Sequence, residues 1–191
     1  MMYKQSQSGF SLVETLVSIT ILLIVIVGPM TIMSTASNSA SFSSDQVIAF
    51  FLAQEGTELA QKARDDLVLE RFAGGNPNPW DYFRNESGTY GACFTSGCGL
   101  ELDNFGDLTS ITNCSGSSCD LYFDDNADVR SRYTHSSVVG NLETPFSRTI
   151  RFQNINAYEV RVVSEVEWFS GQTRNAQSVS VETVLVDVYA P

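Results

Sequence analysis

The sequence reads as an α+β chain, with one long N-terminal α-helix packed on a C-terminal antiparallel β-sheet. Three observations predict it. An apolar, almost uncharged run lies close to the N-terminus. Apolar residues at helical spacing follow it for another thirty or so positions. The last third consists of segments that alternate apolar and polar residues, separated by turn-forming residues.

The first run is the densest feature. No Asp, Glu, Lys, Arg or His occurs from Thr15 to Ser44, and residues 16–27 read LVSITILLIVIV. A helix needs about 20 mainly apolar residues to cross the hydrocarbon of a bilayer. Residues 10–33 meet that length, with Glu14 the only charge among them, so a lipid bilayer is an expected partner. Gly28-Pro29 interrupts the run. Proline lacks the N–H of a helical hydrogen bond and crowds the preceding turn, so a kink is expected at Pro29.

Beyond the membrane run the helix is expected to continue over residues 34–72. Ala49, Leu52, Ala53, Gly56, Leu59, Ala60, Ala63 and Leu67 form one apolar stripe, with Gln54, Glu58, Gln61 and Asp65 on the opposite side. The small residues on the stripe would let a sheet come close to the helix axis. Phe72-Ala73-Gly74-Gly75-Asn76-Pro77 carries the signals of a helix stop. At 1.5 Å per residue such a helix would be about 90 Å long, more than a globular domain of this size needs. The Ser-, Thr- and Asn-rich stretch over residues 34–44 is its weakest part.

Three strands are expected within residues 147–191. Ser147 to Phe152 alternates, as does Glu159 to Phe169, with Val160, Val162, Val166 and Trp168 on one face. Gln177 to Val188 is the third, and Ser170-Gly171-Gln172-Thr173-Arg174-Asn175 makes the hairpin loop before it. Residues 73–146 show little periodicity and are expected to be an irregular, disulfide-containing loop region.

That region holds all four cysteines, as Cys93-Phe-Thr-Ser-Gly-Cys98 and Cys114-Ser-Gly-Ser-Ser-Cys119. Four thiolates would close a tetrahedral zinc site. The spacing is wider than a usual zinc knuckle, no basic residue flanks the sulfurs, and the segment is expected to lie outside the cytoplasm, so disulfides are the reading preferred. Three pairings are possible, of which the short Ser/Gly spacers favour the local one, Cys93–Cys98 with Cys114–Cys119.

Net charge is −11, with a pI near 4.3. Twelve acidic residues lie from Asp65 to Asp128, against Arg71 and Arg84. Such a balance gives no footprint for nucleic acid, and no nucleic-acid partner is expected. Asp124-Asp125-Asn126-Ala127-Asp128 begins like a calcium loop, but Val129 stands where glycine is needed and His135 where a bidentate glutamate is needed. A polar turn is the reading preferred, and no metal or cofactor is expected. The single histidine, His135, sits in a Ser/Thr-rich stretch, and no G-x-S-x-G, Walker, dinucleotide or HExxH pattern occurs. No enzymatic activity and no catalytic residue are expected.

The start of the chain carries the functional reading. Residues 1–9 are polar, and Lys4 with the amino terminus makes them positive, so they are expected to stay cytoplasmic while the rest is exported. A secretory signal would be cut after its apolar run; here the polar-to-apolar junction, Gly9-Phe10, precedes it. Glu14 lies about one turn after Phe10. An acid within a membrane segment calls for a named partner, and an α-amine created at Phe10 would supply one. Otherwise Glu14 is a hydrated acid suited to the helix dipole.

The run Gly9-Phe10-Ser11-Leu12-Val13-Glu14-Thr15-Leu16-Val17 resembles the processing motif of type IV prepilins and of type II secretion pseudopilins. The resemblance implies cleavage after Gly9 by a membrane-embedded prepilin peptidase, N-methylation of Phe10, and a role for Glu14 in assembly with other pilin or pseudopilin subunits. It also implies that filament packing can loosen the helix beside Pro29. Pro145-Phe146-Ser147-Arg148-Thr149-Ile150 and the Val-Trp hairpin look like the tail of minor pilins. The function so implied is a non-enzymatic minor pilin or pseudopilin of a type IV pilus or type II secretion-like filament. Its alternatives are a competence-type DNA-uptake subunit and an unprocessed single-pass membrane protein displaying an adhesive domain. The resemblance places the chain in the cytoplasmic membrane, N-terminus inside, until it enters a filament.

Overall fold

The computed structural model describes Gly9 and residues 11–102, 107–116, 119–125, 131–169 and 176–188. These fall into two units, divided between Phe42 and Ser43. Helix α1, Leu12–Phe72, crosses the division.

In the first unit α1 is helical from Leu12 onward, and every described side chain up to Phe42 is exposed. In the second, the predicted stripe is the buried face of α1: all eight of its residues are buried, joined by Thr57. The helix stops as its sequence demands. Gly74 adopts φ 87°, Gly75 N–H donates to the Glu70 carbonyl at 2.8 Å, and Gly74 N–H donates to that of Arg71 at 3.2 Å. This left-handed cap satisfies carbonyls that the helix end would leave open, and glycine adopts it without a Cβ penalty.

Three strands dominate the sheet: β5 (Leu142–Asn156), β6 (Glu159–Phe169) and β7 (Ala176–Val186). β5 pairs antiparallel with β6, and β6 with β7 in continuous register from Glu159↔Val186 to Phe169↔Ala176. The predicted alternation holds in β6, whose Val160, Val162, Ser164, Val166 and Trp168 are buried.

Residues 73–146 depart from the irregular region expected. They hold α2 (Pro79–Phe83), α3 (Gly91–Thr95), β1 (Cys98–Leu102), β2 (Leu108–Asn113), β3 (Asp120–Asp124) and β4 (Arg132–Thr134), and β5 itself begins at Leu142. These elements are three to six residues long, too short for a period to stand out from the Gly, Ser, Asn and Asp between them. They form two antiparallel arms, β1–β2 and β3–β4. Both arms join the edge of β5 that faces away from β6, β3 along residues 142–147 and β1 at Ile150. α2 holds the β5–β6 turn, with Trp80 Nε1–H and Arg84 Nη1–H both donating to the Ala157 carbonyl at 2.8 and 3.0 Å.

The core forms two apolar clusters. One gathers Leu59, Ala60, Ala63 and Leu67 of α1 with Phe83, Tyr90, Leu100, Ile150, Phe152 and Val162. The other gathers Ala49, Leu52 and Ala53 with Leu121, Phe146, Val166 and Trp168. Between them, on each element, lies a polar position: Gly56-Thr57 on α1, Arg148 on β5 and Ser164 on β6.

Candidate processing and assembly segment

Gly9 is exposed, and a Cβ placed there would meet nothing within 4 Å. Phe10 and the leader residues Met1–Ser8 lie outside the described residues. Glu14 is the acid of the first turn of α1, where a carboxylate is favoured by the free N–H groups and the positive end of the helix dipole. Ser11 O already accepts from Thr15 N–H at 3.2 Å.

From Leu12 the side chains form an apolar sleeve with no cover. Leu12 is 78% exposed, Ile24 69% and Met33 73%. The apolar part of α1 reaches a mean hydropathy of 2.6 with no residue buried, and its length suffices to cross a membrane. Water would penalise such a sleeve, whereas hydrocarbon or neighbouring apolar helices would cover it.

The hydroxyls along this sleeve turn inward on the helix. Thr15 donates to the Leu12 carbonyl at 2.9 Å, Ser18 to that of Glu14 at 2.7 Å, Thr20 to that of Leu16 at 2.6 Å and Thr31 to that of Gly28 at 2.8 Å. Each polar hydrogen thus has a partner that needs no water, as a lipid-facing helix requires. α1 stays helical through Pro29. Proline has no N–H to offer the carbonyl one turn back, that of Val25, so this is where the helix is weakest along the sleeve.

The cysteines form two disulfides, Cys93–Cys98 with Cα atoms 4.6 Å apart and Cys114–Cys119 with Cα atoms 5.1 Å apart. The first staples α3 to β1. The second joins the end of β2 to the start of β3, and so links the two sheet arms. No cysteine is free, and among the described residues no group of three His, Cys, Asp or Glu side chains is placed to hold a metal. Of the residues weighed as a calcium loop, Asn126, Asp128 and Val129 lie outside the described residues. Asp124 ends β3 with Arg132 Nε 3.9 Å away.

Two buried features are absent from the sequence reading. Arg148 is buried at 2% exposure, donating from Nη1 to Glu55 Oε2 at 2.7 Å and to the Leu52 carbonyl at 3.2 Å. Period two, counted from Phe146 through Ile150 and Phe152, would have set it on the core face. His135 packs beyond the end of β4 against Gly99 of β1, with its Nδ1 3.3 Å from the Asp120 carbonyl. Burial, and next the Arg148 charge, push its pKa down to about 4, against the opposing pull of that carbonyl.

Compared with known families, residues 4–28 match the prokaryotic N-terminal methylation motif, the signature of type IV pilins and pseudopilins. Neither the curated proteins nor the solved structures compared with the chain gave a match. The motif spans the junction at Gly9, the first turn with Glu14 and the apolar sleeve up to Gly28. It points to a family of structural subunits that assemble with other pilin subunits and are handled by a prepilin peptidase.

Proposed function

We propose that the chain is a non-enzymatic minor pilin or pseudopilin of a type IV pilus or a type II secretion-like filament. The observation that carries this reading is the methylation motif over residues 4–28, which coincides with an uncovered apolar helix bearing one first-turn acid. In this reading the leader, residues 1–9, stays in the cytoplasm. A prepilin peptidase cuts after Gly9 and the new N-terminus at Phe10 is methylated. Residues 10–33 anchor the subunit in the cytoplasmic membrane and later pack in the filament core. Residues 34–72 carry the helix to the exported part, which is formed by residues 73–146 and the sheet.

Glu14 would there face the α-amine of a neighbouring Phe10. Either charge alone in an apolar core costs several kcal/mol, so pairing them sets the axial register of the subunits. Pro29 would be the point where packing bends or loosens the helix, because its turn has one hydrogen bond fewer to lose.

Mass spectrometry of the protein extracted from membranes tests the reading. A mature chain starting at methylated Phe10 is expected. An intact Met1 terminus would sink the processing step and leave an ordinary single-pass anchor displaying its domain. Presence of the mature chain in sheared surface filaments then separates a pilus from a periplasmic secretion filament.

A further inference from the structure

The two arms of the sheet share one edge of β5 but no backbone ladder with each other, and β4 closes the gap between them through side chains. Arg132 Nη1–H donates to the Leu102 carbonyl at 2.9 Å. Thr134 Oγ1 is hydrogen-bonded to Glu101 Oε1. His135 completes the closure. Its ring lies so close over Gly99 that a Cβ there would stand 2.6 Å from Nε2 and 2.8 Å from Cδ2. Nε2 is buried and has no hydrogen-bond partner, while Nδ1 faces the Asp120 carbonyl of β3.

That geometry has room for one protonation state. With the proton on Nδ1, the ring donates to Asp120 O, and the bare Nε2 rests on the Gly99 backbone. A second proton, taken from water onto Nε2, would give a buried donor with no acceptor beside it, and a charged donor left unpaired is more costly than a neutral one. The charged groups on the surrounding strands are Glu101 on β1, Asp120 and Asp124 on β3, Arg132 on β4, and Glu143, Arg148 and Arg151 on β5, the last paired with Glu165 of β6. Arg148 is the cation that acts against an imidazolium here. Glu101 is engaged by Thr134, and Arg148 by Glu55.

We propose that His135 is an acid-released latch between the two arms of the sheet. Neutral, it holds β4 against β1. Protonated, the ring leaves Gly99 and its Nε2–H reaches water, so that β4 is held to β1 only by the Arg132 and Thr134 hydrogen bonds, which then open more readily. The arms stay tethered by Cys114–Cys119 and by their separate ladders to β5, so the opening is a hinge rather than an unfolding.

His135 is the chain's single histidine, so its ring protons need no assignment in an NMR titration of the full chain in micelles. Cross-relaxation between the ring and Gly99 Hα is expected at pH 7, lost through a midpoint near 4. In Glu101→Gln the same transition should persist, because protonation of the His135 ring drives it. In His135→Phe, which cannot be protonated, pepsin should cut within β4 several-fold more slowly at low pH than in the wild type. A ring midpoint at or above the ordinary 6.5, or contact with Gly99 surviving in the protonated ring, overturns the proposal. The titration uses the wild-type chain and so decides even if His135→Phe fails to fold.

Discussion

Gly56 of α1 lies directly against Ser164 of β6. A Cβ at Gly56 would collide with Ser164 Oγ and would stand 3.0 Å from Ser164 Cβ and 3.2 Å from Arg148 Cδ. The helix reaches the sheet this closely only where both partners are small, and the two apolar clusters of the core meet across this point. Gly56→Ala gains about 1 kcal/mol of helix propensity but overpacks the contact, at a cost of about 1–3 kcal/mol. A net loss of stability is expected in thermal melts of the full chain in detergent. Pairing it with Ser164→Gly should recover part of that loss, giving a coupling of about 1 kcal/mol in a double-mutant cycle.

Arg148 sits in the same seam, buried and paired with the half-exposed Glu55. Glu55→Ala leaves the cation in the core with only the Leu52 carbonyl, and is expected to cost about 1–3 kcal/mol. Arg148→Met removes the charge and keeps the volume, and should cost less or even stabilise. Denaturant unfolding of the two variants gives the order. A larger loss for Arg148→Met would show that the ion pair itself holds the helix to the sheet.

Each disulfide closes a short loop, with a sequence separation of 5. Chain entropy then supplies about 2 kcal/mol per bridge. Replacing Cys93 and Cys98 with alanine should cost more than replacing Cys114 and Cys119, because Cys93 and Cys98 are both buried in the first cluster. Melting temperatures of the two double variants, with and without reductant, check both the order and the pairing. Mixed loss in either variant on reduction alone would assign the remaining bridge.

Tyr90 titrates far above its ordinary range. Burial, followed by Tyr82, Asp66 and Glu70, pushes its pKa up to about 12. The fold therefore favours the neutral phenol. Its contribution is fully present below pH 10 and is lost as pH rises from 10 through 12, amounting to roughly 2–3 kcal/mol. Ultraviolet titration of the folded chain should show a tyrosine step near 12 that Tyr90→Phe removes, beside Tyr133, whose pKa burial also raises. That variant should also hold its stability further into the alkaline range.

Glu14→Ala tests the assembly reading separately from processing. In the proposed reading the variant inserts and is cut after Gly9, but falls at least about tenfold in sheared filaments. Comparison of the membrane and sheared fractions by immunoblot measures it. Normal incorporation would remove the register role and leave Glu14 as a first-turn acid.

Much of the architecture was legible because it repeats. The stripe from Ala49 to Leu67 follows the helical period over five turns, and all of its residues are buried. Val160, Val162, Val166 and Trp168 follow the period of two and face the core together. The methylation motif was legible for a different reason. It is contiguous, with Gly9, Glu14 and the apolar run lying within one short stretch, so nothing about it waits on folding.

The sequence by itself determined the order of helix and sheet, the apolar sleeve, the motif at its head and the preference of the cysteines for disulfides over metal. Tertiary structure decided the rest. It chose one cysteine pairing among three and built two sheet arms from residues 73–146, where strands of three to six residues are too short to announce a period. It placed Arg148 under α1 and His135 on Gly99, contacts that join residues 93 and 36 positions apart. A buried charge or a bare ring nitrogen is defined by what surrounds it, and those surroundings come from segments that meet only when the chain folds.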